Sequence, residues 1–100
     1  MSKSKMHAKD GTCYICQKLY GDYGTKTVEE HHVFGGCNRR KSERDGLKVY
    51  LCIPHHREGR DAAHISAITA AYLHAAGQAA FEAAGHSREE FRERYGKSYL

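Results

Sequence analysis

Cys13-Tyr14-Ile15-Cys16 and Cys52-Ile53-Pro54-His55 each carry two metal-ligating side chains with two residues between them. That is the bite from which a tetrahedral zinc ion takes two of its four ligands. The two stretches therefore complete one another as a set of Cys13, Cys16, Cys52 and His55. Between them lies Glu29-Glu30-His31-His32, and His56 follows directly. Four ligands suffice to close a small fold, which leaves the remaining histidines for chemistry. His56 could take the place of its neighbour His55 as the fourth ligand. Cys37 has no partner at knuckle spacing and reads as a free thiol.

The chain has 100 residues, enough for one domain. A chain of this length buries only about 60–65% of its unfolded surface. With 40% apolar residues and no Trp, its core is marginal. A structural zinc ion can add roughly 10–16 kcal/mol of apparent binding energy at neutral pH. The first ten residues, with Lys3, Lys5 and Lys9, are polar and read as a flexible basic arm without an apolar leader. No run is long and apolar enough for a membrane span. The expected location is therefore the cytoplasm of a bacterial host, where four cysteines read as metal ligands before disulfides. A thioredoxin-like redox pair is disfavoured, because no βαβ pattern surrounds Cys13 and Cys16.

Working outward, residues 11–24 read as the first knuckle and a glycine-broken loop. Residues 25–33 are rich in β-branched side chains and predict a strand that ends at Gly35-Gly36. Residues 36–45 read as a polar loop. Residues 46–51 predict a second strand with Leu47, Val49 and Leu51 on one face. Pro54 suits the first turn of a short helix carrying His56, because its missing N–H costs nothing there. Asp61 caps a long helix over 62–84, with Ile65, Ile68, Tyr72, Ala76 and Ala80 or Phe81 along its inner stripe. Ser87-Arg88-Glu89-Glu90 is a capping box opening a last helix through Tyr95. Tyr99-Leu100 can fold back onto the core.

Strand, paired histidines, loop, strand, Cys-x-x-His-His and helix follow in that order. This layout resembles the HNH nucleases of the ββα-metal fold, in the branch that carries a zinc knuckle. The residues concerned are Cys13-x-x-Cys16, Glu29-Glu30-His31-His32-Val33, Asn38 and Leu51-Cys52-Ile53-Pro54-His55-His56. His55 departs from the family pattern, which usually has Cys there; a Cys₃His set is still an ordinary zinc site. Small phage- and prophage-encoded HNH proteins are similar, with His-His-Val-Phe-Gly-Gly and a tail ending in Gly-Lys-Ser-Tyr-Leu. The resemblance implies an α+β chain: a ββα-metal core and zinc knuckle over 11–60, within a single domain 11–100 whose residues 61–100 form a helical extension. It implies that His32 is the general base, and that Asn38 orients the loop or the base. It implies that His31 and His56 hold a catalytic divalent ion (Mg²⁺, Mn²⁺, Ni²⁺ or Zn²⁺) beside the structural Zn²⁺. His64 is either a third ligand or a helix-cap histidine.

Net charge is +4, a modest attraction to polyanions. Its distribution says more: Arg39, Arg40, Lys41 and Arg44 lie on one side of the paired histidines, and Arg57 and Arg60 lie beyond His56. Each run alone is a solvated loop, but two runs flanking one site favour phosphate contact. DNA is the expected partner, held by Arg39, Arg40, Lys41 and Arg57, and the expected reaction is metal-dependent phosphodiester hydrolysis. The competing expectation is a zinc-stapled DNA-binding or adaptor module without catalysis, which would leave His31 and His32 without a job. Glu29 and Glu30 read as a solvated pair, with Glu30 available to support a ligand. His7, His74 and His86 read as solvent-facing, and Tyr14, Tyr20, Tyr23, Tyr50 and Tyr72 as packing groups.

Overall fold

The computed structural model describes residues 3–100. The elements run α1 (Tyr14–Tyr20), β1 (Val28–His32), α2 (Arg39–Arg44), β2 (Lys48–Cys52), α3 (Ala67–Ala83) and α4 (Arg88–Tyr95). A 3₁₀ turn at Gly36–Asn38 leads into α2, and a π-helical turn at Pro54–Glu58 follows β2. The result is a small α+β chain whose two strands pair antiparallel, with Glu29 opposite Leu51 and His31 opposite Val49. Among the described residues no helix is long and apolar enough to cross a membrane.

β2 is buried along its whole length, not on alternate residues. Val49 and Leu51 face the main core, as their alternation requires. The outer edge of β2 is covered by residues 3–9, which the sequence suggested as a free arm. Ser4 donates to the carbonyl of Lys48, and Lys5 N–H donates to the carbonyl of Gly46 at 2.8 Å. His7 is buried, not solvent-facing: it accepts from Tyr50 N–H through Nδ1 at 3.1 Å and meets Thr12 Oγ1 through Nε2 at 3.0 Å.

Two expected loops are helical. Residues 14–20 form α1 because Cys13 acts as its N-cap, its sulfur accepting from Cys16 N–H. Residues 39–44 form α2 because Ser42 turns inward. Its hydroxyl donates to the carbonyl of Leu47 and accepts from Phe34 N–H, which ties the short helix to both strands.

The long helix starts later than expected. Ser66 is its N-cap, accepting from Thr69 N–H, and Asp61 lies in the turn before it. Its buried stripe is Thr69, Leu73, Gly77, Gln78 and Phe81. Ile68, expected inside, is 83% exposed, and Ile65 is 59% exposed. The helix turns this face inward because Gly77 lets it lie directly on the end of β1. A Cβ at Gly77 would come within 2.9 Å of Val33 Cγ1 and 3.0 Å of Phe34 Cε2. Phe34 then becomes the centre of an aromatic cluster with His74, Phe91, Tyr95 and Tyr99. The capping box at Ser87 is formed as the sequence predicts. Tyr99 returns to the core, its N–H donating to the buried amide oxygen of Gln78.

Candidate metal centres

Cys13 and Cys16 come from the start of α1, Cys52 from the end of β2 and His55 from the turn after it. Cys16 Sγ lies 3.9 Å from Cys52 Sγ, and His55 Nδ1 lies 3.7, 3.4 and 3.3 Å from the sulfurs of Cys13, Cys16 and Cys52. Four ligands on one tetrahedral zinc, with Zn–S about 2.3 Å and Zn–N about 2.0–2.1 Å, lie roughly 3.5–3.8 Å apart. The set fits zinc, and all four donor atoms lie within 4.8 Å of one another. Burial pushes the Cys16 thiol up to about 12, and the neighbouring Cys13 sulfur adds to it. Three buried thiols in contact are a poor arrangement without a cation to take the place of their protons. The ring of Tyr20 stacks on His55 at 5.8 Å between centroids. Among the described residues none of the cysteines is in a disulfide, and Cys37 is exposed and away from the set.

A second cluster is built of His31, His56 and His64, whose ring nitrogens also lie within 4.8 Å of one another. His56 Nε2 and His64 Nε2 are 3.0 Å apart. Two nitrogens on one ion at about 2.1 Å stand roughly 3.0–3.4 Å apart, so the pair has the spacing of neighbouring ligands. His64 reaches His56 despite the intervening residues because the chain folds back on itself. The π turn closes with Gly59 N–H on the carbonyl of Pro54 at 2.8 Å. Ala63 and His64 then donate their N–H groups to the carbonyls of His55 and His56. Only glycine fits at the bend, since a Cβ on Gly59 would lie 2.4 Å from the Pro54 oxygen.

Burial and crowding favour the neutral, ligating form of His31 and His64. Burial first, then the neighbouring His56 and His64, bring His31 down to about 3. Burial and His56 also lower His64. The carboxylate of Glu29 contacts His56 Nδ1 at 2.7 Å. A carboxylate only accepts, so the proton sits on Nδ1 and the lone pair on Nε2 points at His64 and His31. Arg57 in turn grips Glu29 with two bonds, at 2.8 and 3.2 Å. Arg57 first and His56 second hold the Glu29 carboxyl down to about 2. Glu29 is thus a support for a ligand. Strand alternation, which sets it on the His31 face, was the available signal for that.

His32 lies on the opposite face of β1 and meets a third group, Glu30, Glu43 and Lys48. Its Nε2 is 2.8 Å from Glu43 Oε1, and Arg39 Nε donates to its Nδ1 at 3.4 Å. The ammonium of Lys48, 2% exposed, bridges Glu43 at 2.9 Å and Glu30 at 3.2 Å. Burial opposes that charge, yet the bonds from Glu43 and Glu30 outweigh it and raise Lys48. Lys48 already supplies the cation at this cluster. Glu43 carried no signal in the sequence, because it falls in a segment read as a loop.

His31 and His32 both line a cleft of about 160 Å³, with Gly35, Ala70, His64 and His74 around it. His74 is half-buried, stacked on Phe34, and not the solvent-facing residue suggested by the sequence. Of the two expected roles of Asn38 the loop is the one with a contact: its amide donates to the carbonyl of Tyr95 at 3.3 Å and ties the loop to the tail. Of the four expected phosphate-binding cations, Lys41 donates to the carbonyl of Arg94 and Arg57 is held by Glu29. Arg39 and Arg40 are exposed on α2. No family model matches the chain, and neither a protein of curated function nor a solved structure matches it.

Proposed function

We propose that this chain is a metal-dependent endonuclease of the ββα-metal type that hydrolyses DNA phosphodiester bonds. The observation that carries the proposal is the meeting of His31, His56 and His64, apart from the Cys₃His group, beside a cleft that His31, His64 and His32 line. A purely structural or adaptor module needs only the Cys₃His group, and has no use for three converging imidazoles with a supporting carboxylate.

The residues divide the work. His31, His56 and His64 would hold a divalent ion, which when bound polarises the phosphate and steadies the departing oxygen. Glu29 fixes the tautomer of His56, and Arg57 fixes Glu29. His32 takes the proton of the attacking water, a contribution of typically ~10²–10⁴-fold. Arg39, beside His32, and Arg40, on the same exposed helix, attract and place the phosphate backbone; such contacts give affinity without sequence information.

Plasmid cleavage with added Mg²⁺, Mn²⁺, Ni²⁺ or Zn²⁺ tests the proposal, comparing the chain with His32→Ala. Wild type should nick or cut, and His32→Ala should keep the fold, the zinc and DNA affinity while losing most cleavage. If wild type cuts nothing with any of these ions, or His32→Ala cuts as well, a zinc-stapled binding module takes its place.

A further inference from the structure

His32 touches two groups of opposite character, one at each ring nitrogen. At Nε2 stands Glu43 Oε1, 2.8 Å away. An ionised carboxylate has no proton to give, so Nε2 carries one. At Nδ1 stands the Nε–H of Arg39, at 3.4 Å. A guanidinium has no lone pair to offer, so Nδ1 must present its own. The two contacts come from different residues and agree on one tautomer. We propose that Glu43 is the positioning residue for His32, that it holds the ring as the Nε2–H tautomer, and that Nδ1 is the atom that takes the proton from water.

Lys48 keeps Glu43 in this role. Its ammonium touches both Glu43 oxygens, at 3.0 and 2.9 Å, and also Glu30. The carboxylate is neutralised without being protonated, so it stays an acceptor toward His32. Strand β1 therefore offers two adjacent histidines in differently supported surroundings. His31 belongs to the cluster that Glu29 supports through His56, and His32 is set directly by Glu43.

The role of His32 rests on the nuclease reading; the proton bookkeeping then follows. A water O–H bond breaks, its proton goes to Nδ1, and its electron pair forms the new O–P bond. The P–O bond to the leaving oxygen breaks, and that oxygen takes a proton from solvent. The imidazolium keeps its Nε2–H on Glu43 and returns the Nδ1 proton to water. Arg39 covers Nδ1 here, so it must turn from the ring to a phosphate oxygen before water can reach that nitrogen.

Glu43→Gln is the informative variant. Lys48 needs an acceptor, so the amide oxygen faces Lys48 and the amide N–H faces Nε2. That reverses the tautomer and removes the lone pair from Nδ1. Nitrogen-15 shifts of the His32 ring, recorded near pH 8 where an ordinary histidine is neutral, report the tautomer without any cleavage assay. Wild type should show Nε2–H, and Glu43→Gln should show Nδ1–H. Cleavage by Glu43→Gln should fall about 10–100-fold in kcat with KM little changed, while zinc content is retained. An Nδ1–H ring in wild type overturns the proposal whatever the activity. Full activity in Glu43→Gln beside an inactive His32→Ala overturns it while leaving the nuclease function standing. Absence of cleavage in wild type removes the nuclease function itself, and the base assignment with it.

Discussion

Gly77 has less room than a methyl group needs. Its position on Val33 and Phe34 means that Gly77→Ala gains about 1 kcal/mol of helix propensity but meets two buried side chains too closely. Overpacking of this kind costs about 1–3 kcal/mol, so a net loss of about 1 kcal/mol is expected in urea unfolding of the zinc-loaded protein. His7 makes a second test at the scale of one side chain. Burial is the largest influence on it and lowers it, with Asp10 opposing and Lys18 adding. A histidine whose folded value is depressed takes up its proton more readily when unfolded. Its contribution is complete above the unfolded value of about 6.5 and is lost as pH falls through that value toward the folded one. Stability of wild type should therefore drop more steeply below about pH 6.5 than that of His7→Gln, measured as the difference between their unfolding curves.

Among the elements, β2 depends most on its surroundings. A two-stranded sheet alone is marginal in water. Here the edge of β2 is covered by residues 3–9, with Tyr50 N–H donated to His7 and the Lys48 carbonyl receiving Ser4. Removing residues 1–9 should lower the melting temperature and expose a pairing edge, which light scattering would show as association. Ser87→Ala removes the cap of α4 and should cost about 1 kcal/mol. The elements differ in how far the sequence revealed them. Both strands, the capping box at Ser87 and the π turn after Pro54 carried local signals, and so did the Cys₃His ligands. The inner stripe of α3 did not, because Gly77 sets it through contact with residues far away in sequence. α1 and α2 were also hidden: their caps are a cysteine and an asparagine within short polar stretches, and the inward turn of Ser42 shows only in three dimensions. The same holds for Glu43 at His32, a contact across two elements. Residues 3–9 look like a charged tail in sequence, since nothing local marks His7 as buried.

For the molecule as a whole, the Cys13, Cys16, Cys52 and His55 group joins the beginning of the chain to its middle. Cys16→Ser should lose the tightly held zinc and unfold, and a strong chelator should do the same to wild type. Cys37→Ser should change neither zinc content nor melting, because Cys37 is exposed and outside the ligand set. Metal analysis with thermal melts of the two variants decides the matter; loss of zinc from Cys37→Ser would mean that the ligand set is misassigned.

His55 and His56 are consecutive residues, yet each belongs to a different cluster. One peptide unit therefore separates a member of the Cys₃His group from a member of the second cluster, which couples the two sites. Anchoring His55 on an ion should stiffen the turn that aims His56 at His31 and His64, so the first cluster is expected to fill before the second. A titration with Co²⁺ would display this as a sequence in time and stoichiometry. The first equivalent should develop thiolate charge-transfer absorption, and only the next should bring the weaker bands of nitrogen ligation. Simultaneous growth of both would mean that the clusters fill independently. Sequential growth would give the chain an ignition order, in which the second cluster is completed only in a molecule that has already closed its first.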